Sequence, residues 1–273
     1  MILALLSSVA WGTADFLGGT LSRKRKPFAV LGASQIFGLV GASFMALLFH
    51  DWGFDRVVVV NGIIAGVIGL AGLTLFYAAL ASGQMGIVSP IASIGVVVPV
   101  FMGLAHGDNP SMLQLVGIAI AIVGVVFASG PELGGGADPK PVVYAFLSAL
   151  AFGTCTYFMA VGGQSSPTMT IVVMRITQVL IAVIGLLILR DLGGLVKSDL
   201  PMLASIGVLD ASANILFAAS STLGMLALVS VLSSLFPVVT VLLAWFIHKE
   251  RLIRIQYIGI AIAAIGVCAI SAG

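Results

Sequence analysis

The sequence contains little charge. Only 8% of its 273 residues are charged, against roughly 25% in an ordinary soluble domain, while 60% are hydrophobic. A soluble chain with so few charged side chains would leave large apolar areas in contact with water. The composition therefore excludes a soluble globular protein and indicates a chain that is surrounded by lipid.

Residues for enzyme, metal or disulfide chemistry are also scarce. The two cysteines, Cys155 and Cys268, form no CxxC motif, and the chain has only three histidines. A phosphate-binding glycine loop, a HExxH motif and a nucleophile elbow are all absent from the sequence. We therefore predict no enzyme activity, no metal, no cofactor, no ATP-driven pumping and no nucleic-acid partner. Both cysteines are expected to act as small apolar side chains.

Long apolar runs are abundant instead. About 20 such residues cross a hydrocarbon core of roughly 30 Å, and lipid cannot satisfy exposed backbone groups, so each run is expected to be a helix. The first run is too long for a cleaved signal peptide and lacks a basic start. We predict an all-α membrane protein with ten transmembrane spans near residues 2–21, 28–49, 57–81, 85–105, 112–129, 142–162, 168–189, 201–222, 224–246 and 256–272.

The sequence contains an internal repeat. Residues 4–13 match residues 145–154 at six of ten positions, and residues 114–121 resemble 256–263. The offset is 141 residues early in each half and 142 late. Each half therefore holds five spans, and because five is odd, the second copy must cross the membrane in the opposite direction. Secondary transporters build a central site from such inverted repeats. The predicted division is 1–130 for the first repeat, 131–141 for a linker and 142–273 for the second repeat.

Basic residues are distributed unevenly among the loops. Ten lie in loops that follow odd-numbered spans, whereas Arg56 alone follows an even-numbered span. By the positive-inside rule, the loops after odd spans are cytoplasmic and both termini lie outside a plasma (inner) membrane. We interpret the basic cluster at residues 23–26 as part of this orientation signal and not as a lipid-binding site. The ten residues are Arg23, Lys24, Arg25, Lys26, Lys140, Arg190, Lys197, Lys249, Arg251 and Arg254.

Three charged residues lie well inside the predicted spans: Asp15, Arg175 and Asp210. A charge at this depth costs on the order of 2.5–3.5 kcal/mol on the lenient insertion scale, so these side chains should face a cavity or each other. In a functional interpretation, Arg175 binds a substrate carboxylate or phosphate, and Asp15 or Asp210 takes up a proton or a substrate ammonium group. In a structural interpretation, Arg175 pairs with Asp210 and locks spans 7 and 8 together.

Uncharged polar residues and prolines extend the candidate site. Asn214 needs hydrogen-bond partners in lipid, whereas a hydroxyl in a membrane helix more often bonds its own backbone. Pro90, Pro99 and Pro237 are expected to kink spans 4 and 9, either beside the substrate or as static bends. The remaining candidates for substrate contact are Trp11, Thr13, Tyr77, Ser89, Thr154, Tyr157 and Ser230.

Three stretches carry a family resemblance: WGTADF at residues 11–16, residues 237–240 leading to 248–252, and GIAIAAIGV at 259–267. Together with the doubled set of five helices, they resemble the EamA repeat of the drug/metabolite transporter (DMT) superfamily. The resemblance implies ten helices around a central cavity and export of small metabolites, often amino acids or related compounds, without ATP. It also implies cytoplasmic termini, whereas the charge count predicts termini outside; we follow the charge count.

The leading functional hypothesis is a secondary active transporter of small metabolites. Its central cavity would lie between spans 1, 3 and 4 and spans 6, 8 and 9, with the lipid bilayer and a small-molecule substrate as partners. Proton coupling through Asp15 or Asp210 is a further hypothesis. One alternative is efflux of lipophilic cations with Asp15 as counter-charge, against which the charge of Arg175 argues. Another is a membrane scaffold with a filled centre. The sequence sets no substrate, direction, coupling ion or oligomeric state.

Overall fold

The computed structural model describes residues 1–22, 24–82, 91–92, 94–128, 139–189, 193–249 and 253–273. Regular structure in these ranges is helical, as expected where lipid leaves backbone groups without partners. The sixth helix begins at Pro139, within the predicted linker. The α-helices are α1 (Ile2–Ser22), α2 (Pro27–Phe49), α3 (Arg56–Ser82), α4 (Val97–Ala105), α5 (Met112–Ala128), α6 (Pro139–Gly163), α7 (Pro167–Leu189), α8 (Leu200–Leu223), α9 (Leu226–Ser233), α10 (Phe236–His248) and α11 (Arg254–Ala272).

The helices have the length and composition of membrane spans. Within the described residues, eight helical stretches are long and apolar enough to cross a membrane, and the stretch that joins α9 to α10 counts as one of them. Two shorter apolar stretches, Ile94–Ala105 and Met112–Ala128, follow each other in the first half of the chain. The chain is therefore an integral, multi-pass membrane protein.

Two of the predicted spans are irregular near a proline. In span 9, α9 ends at Ser233 and α10 begins at Phe236, with Pro237 in its first turn. In span 4, a 3-10 turn at Ile94–Val96 leads into α4, with Pro99 in its first turn. Proline suits the start of a helix because its missing N–H would have no intrahelical acceptor there. Each of these prolines therefore lies in the first turn of an α-helix that begins within a predicted span.

The two halves of the chain contact each other through matched pairs of helices. α1 packs on α8, and α6, the repeat counterpart of α1, packs on α3, the counterpart of α8. Ser7 Oγ donates to the carbonyl of Ala213, and Ser148 Oγ donates to the carbonyl of Gly72, each at 2.9 Å. These two bonds are related by the repeat offset of 141 residues. The α1–α8 interface and the α6–α3 interface are thus two copies of the same helix–helix contact.

Glycines form a second matched interface between α5 and α11. A side chain at Gly124 would meet Ala263, and a side chain at its counterpart Gly266 would meet Ala121; each added Cβ would lie within 2.9 Å of the facing Cβ. Gly117 and Gly259 lie on the same two helix faces and contact the backbone of the opposite helix. Small residues allow such backbone contact between membrane helices. The two glycine-rich helices therefore pack in close backbone contact.

The helix connections gather at two opposite ends of the bundle, which we call the odd face and the even face. The odd face contains residues 24–26 and 193–199, which follow odd-numbered spans, and the even face contains residues 50–55, 106–111, 164–166 and 224–225. On the odd face, Arg25 Nε lies 2.8 Å from Asp199 Oδ2. On the even face, Ser165 Oγ donates to Asp55 Oδ2 at 2.8 Å. Both contacts join the first half of the chain to the second.

Candidate functional site

Arg175 lies at the centre of a polar network between the two halves of the chain. Its side chain, on α7, is 1% exposed. Nη2 lies 2.6 Å from Asp210 Oδ2 on α8, and Nη1 donates to the amide oxygens of Gln35 on α2 and Gln178 on α7. A buried guanidinium needs both an opposite charge and hydrogen-bond acceptors to offset its loss of hydration. The network supplies both, so it ties three helices together.

A close crossing of α2 and α8 brings these groups within reach. A Cβ on Gly38 would lie 3.1 Å from the carbonyl oxygen of Gly207, and one on Gly207 would lie 2.7 Å from the backbone nitrogen of Gly38. The same Gly38 position is 3.5 Å from the Cδ and Nε atoms of Arg175. Backbone contact of this kind is possible only where neither residue carries a side chain. The two glycines thereby position Arg175 between α2 and α8.

The carboxylates of the network remain accessible, unlike the guanidinium. The side chain of Asp210 is 26% exposed, and Asn214 Nδ2 donates to its backbone carbonyl at 2.6 Å and to its Oδ1 at 3.3 Å. Asp15 on α1 is exposed, although its neighbours Ala14 and Phe16 are buried. Trp11, one helical turn before Asp15 on the same face of α1, contacts Phe217 on α8. The accessible carboxyl of Asp15 therefore lies on the side of α1 that faces α8, not on the lipid side.

None of the three charges is repeated at the equivalent position of the other half. At the repeat offset of 141 residues, the counterpart of Arg175 is Ser34 and the counterpart of Asp210 is Gly69. Asp15 in the first half has Thr156 as its counterpart in the second. The helices thus occur in both copies of the repeat, whereas each of the three charged residues has an uncharged counterpart. Any ligand at this site would meet two chemically different halves.

Trp11 lies one helical turn before Asp15, so the two side chains share a face of α1. Its ring centroid is 5.7 Å from that of Phe217 on α8 and 6.3 Å from that of Phe236 at the start of α10. Next to it, a Cβ on Gly12 would lie 2.6 Å from the carbonyl oxygen of Phe236. The interruption of span 9 therefore packs directly against the middle of α1, beside the charged network.

Two of the predicted hydroxyl candidates bond within their own helices. Thr13 Oγ1 and Thr154 Oγ1 donate to carbonyls one turn earlier in their own helices, at 2.7 Å each. Tyr157 Oη lies 3.4 Å from His106 Nε2, near the even face. Ser230 Oγ is buried and has no hydrogen-bond partner among the described residues. The structure therefore places Asp15, Arg175, Asp210 and Asn214 together, and leaves these hydroxyls around or away from them.

Some predictions fall outside the described residues. Ser89 and Pro90 lie there, and so does the side chain of Tyr77. Conversely, the structure assigns a place in the network to Gln35, which the candidate substrate site did not include. The signal available for Gln35 and Gln178 was the rarity of amides inside apolar helices, because a buried amide requires partners.

Comparison with known proteins agrees with this architecture. A protein of Methanocaldococcus jannaschii named "Uncharacterized protein MJ1333.1" is 27% identical over 131 residues, which are 47% of this chain and 95% of the relative. A solved structure titled "Crystal structure of protein" has a TM-score of 0.82 at 15% identity, covering 98% of this chain and 95% of the other; this likeness shows the fold alone. The model of the EamA-like transporter family matches residues 1–130 and again 139–272. The chain therefore belongs to the EamA-like transporter family of the DMT superfamily and contains two EamA repeats.

Proposed function

We propose that the protein is a secondary active transporter that exports small metabolites, such as amino acids or related compounds, through a central cavity by alternating access. The main support is the accessible carboxyl of Asp15 on α1, the helix that packs on α8, which carries the Asp210 member of the Arg175–Asp210 pair. An accessible acid midway along a membrane helix is stable only beside water or a polar partner. A solute-binding space between the two repeats would provide that surrounding.

We further propose that the chain crosses the membrane ten times as two inverted repeats. Helix α5 has 17 residues, about 26 Å at 1.5 Å per residue, which is close to the roughly 30 Å hydrocarbon thickness. Contacts at the faces support inversion: the end of α1 leads into the odd face, where Arg25 meets Asp199. The end of α6 leads into the even face, where Ser165 meets Asp55. Equivalent helices therefore run toward opposite faces.

The network suggests separate roles for the three charges. Arg175 is paired with Asp210 through Nη2 and donates from Nη1 to Gln35 and Gln178, so it positions Asp210 while the pair is intact. Asp15 and Asp210 have accessible carboxylates and are the groups available to a substrate amine or to a proton. In this proposal Asn214 orients Asp210 through its two hydrogen bonds.

Efflux of lipophilic cations is a second candidate, and the pairing of Arg175 favours it. The charge of Arg175 was the argument against a cationic substrate, but that charge is buried and neutralised by Asp210. With all three groups ionised, the cluster carries one net negative charge. Asp15 would then be the counter-charge for the bound cation.

Transport by purified protein in liposomes tests the proposal. Metabolites that raise the melting temperature of the protein identify ligands, because a ligand that binds only the folded form stabilises it. Uptake of those ligands should fall at least tenfold in Asp15→Asn, with and without a pH gradient, whereas Asp55→Asn, on the even face, should retain it. Loss of gradient dependence in Asp15→Asn or Asp210→Asn would assign proton coupling to that residue, and unchanged dependence in both would exclude it.

A parallel assay separates the second candidate. Cells that produce the protein should grow in higher concentrations of quaternary ammonium dyes if lipophilic cations are its substrates, and Asp15→Asn should abolish the gain. Absence of any gain removes the cation hypothesis. Absence of uptake for every stabilising metabolite, together with unchanged dye resistance, would contradict transport itself.

A further inference from the structure

The start of α9 is capped by a residue from the other repeat. The backbone N–H of Ala227 donates to Asp108 Oδ2 at 2.8 Å, while Met225, at the N-cap position of α9, makes no side-chain cap bond. The first N–H groups of a helix lack intrahelical acceptors, and a carboxylate there also interacts favourably with the helix dipole. Asp108 therefore provides the cap for α9 from the turn that follows α4.

The contact is tight and depends on a glycine. A Cβ on Gly103, in the last turn of α4, would lie 2.9 Å from the backbone nitrogen of Ala227 and even nearer the Asp108 carboxylate. The N–H of Asp108 in turn donates to the carbonyl of Gly103 at 2.9 Å. Beyond this contact, every residue of α9 from Ala227 to Ser233 is buried. The ends of α4 and α9 thus meet in direct contact at the even face.

Other contacts between the repeats occur on both faces at once. On the even face, Asp51 and Asp55 join the α2–α3 connection to Thr168 and Ser165 of the α6–α7 connection. On the odd face, the repeat-equivalent connections are joined by Arg25 with Asp199 and by Lys26 N–H with the carbonyl of Gly193. Contacts that are present on both faces at the same time do not need to break when one face opens. Their presence therefore does not depend on which face is open.

We infer that the Asp108 carboxylate on the N-terminus of α9 is the latch that holds the even face closed. The inference rests on the alternating-access function proposed above. Alternating access requires the central site to open at one face at a time, and α4 and α9 lie within predicted spans 4 and 9 of the two repeats. The contacts shared by both faces would then act as fixed joints, and the α4–α9 contact as the moving one.

Distance measurement between two spin labels tests the latch. The labels are placed at Asn109→Cys, an exposed position, and at Gly224→Cys, where an added Cβ has no neighbour nearer than 3.8 Å. The exposed Cys268 is replaced by alanine, and the buried Cys155 is kept. Asp108→Ala should shift the ratio of long to short distances by roughly five- to thirtyfold, the range that loss of an N-cap corresponds to. Asp108→Asn keeps an acceptor and should remain near the native distribution.

Two further variants complete the test. Gly103→Ala should lengthen the distance as Asp108→Ala does, because its methyl group occupies the place of the contact. Asp55→Asn, on the same face but in a fixed joint, should leave the distance unchanged. Native distributions in both Asp108→Ala and Gly103→Ala would overturn the latch. If the variants shift the distance but the native protein transports nothing, the latch stands and the proposed function is wrong. If the native protein transports but the variants leave the distance unshifted, the proposed function stands and the latch is wrong.

Discussion

At the scale of single residues, rarity is the most informative property of this sequence. Charges inside apolar helices are costly, so Arg175 and Asp210 could be identified from the sequence alone, and their pairing was one of two interpretations. The part played by Gln35 could not be predicted, because it lies 140 residues from Arg175. Its contact depends on the crossing of α2 and α8 at Gly38 and Gly207, which no local pattern encodes.

The Arg175–Asp210 pair leads to a stability prediction. Asp210→Ala should lower the free energy of unfolding by about 3–5 kcal/mol, because it leaves a buried guanidinium without its counter-charge. Adding Arg175→Met to this variant should recover most of the loss, since an apolar side chain of similar length then fills the site. The recovery should be incomplete, because Gln35 and Gln178 lose the donor that they share. Thermal unfolding in one detergent ranks the variants.

If Arg175→Met lowers the stability of Asp210→Ala as much as it lowers the stability of the native protein, the two residues act independently. That outcome would contradict the pairing. Ser205 provides the matched control, since it lies on α8 and its hydroxyl bonds the carbonyl of Pro201 in the same helix. Ser205→Ala should change stability by little, and its effect should add to that of Asp210→Ala, because residues without shared partners behave independently.

At the scale of helices, apolar length predicted the positions of the elements to within a few residues, but not their continuity. Span 9 was expected to kink at Pro237, and the structure has an irregular step there, where residues 234–235 separate α9 from α10. A proline ring clashes with the carbonyl four residues earlier and removes one hydrogen bond. That earlier residue is Ser233, where α9 ends. The proline was visible in the sequence, whereas the close packing of Phe236 against Gly12 was not.

The start of α7 gives a prediction about pH. Burial by itself raises the pKa of Asp51, but hydrogen bonds from the hydroxyls of Ser166 and Thr168 and from two backbone N–H groups outweigh it, so the pKa lies below its ordinary value. The ionised form therefore stabilises the fold at neutral pH. That contribution is fully present above the unfolded pKa of about 3.9 and is lost as pH falls through the lower, folded pKa.

Asp51→Ala should accordingly lower stability at pH 7 by about 1 kcal/mol, the typical value of a helix cap. The difference from the native protein should shrink as pH falls below about 3.9, where the carboxyl of the unfolded chain takes up a proton, and it should be lost once pH is below the lower pKa of the folded protein. Thermal unfolding at several pH values measures it. Asn109→Ala, an exposed position of the same face, should show no such pH dependence. A constant difference between Asp51→Ala and native protein at all pH values would contradict the assignment.

At the scale of the whole molecule, the repeat identified which helices are equivalent, but not which helices meet. The matched contacts of α1 with α8 and of α3 with α6 pair helices from different repeats. They arise because each repeat presents small residues, such as Ser7 and Ser148, to the backbone of the other. These two serines are among the positions that the copies share, whereas the charges that differ between the copies lie beside the proposed site.

Inversion of the repeats makes a direct prediction about sidedness. Lys24 and Ser165 occupy equivalent positions, 141 residues apart, and both are exposed. In a chain with Cys268 replaced by alanine, Ser165→Cys should react with a membrane-impermeant maleimide on intact cells, and Lys24→Cys only after the membrane is permeabilised. The physical reason is the charge bias, which holds the odd face in the cytoplasm. The reverse labelling would keep the inversion and place both termini in the cytoplasm, as the family resemblance implies. Labelling of both positions from one side would contradict inverted repeats, and with them the alternating-access proposal.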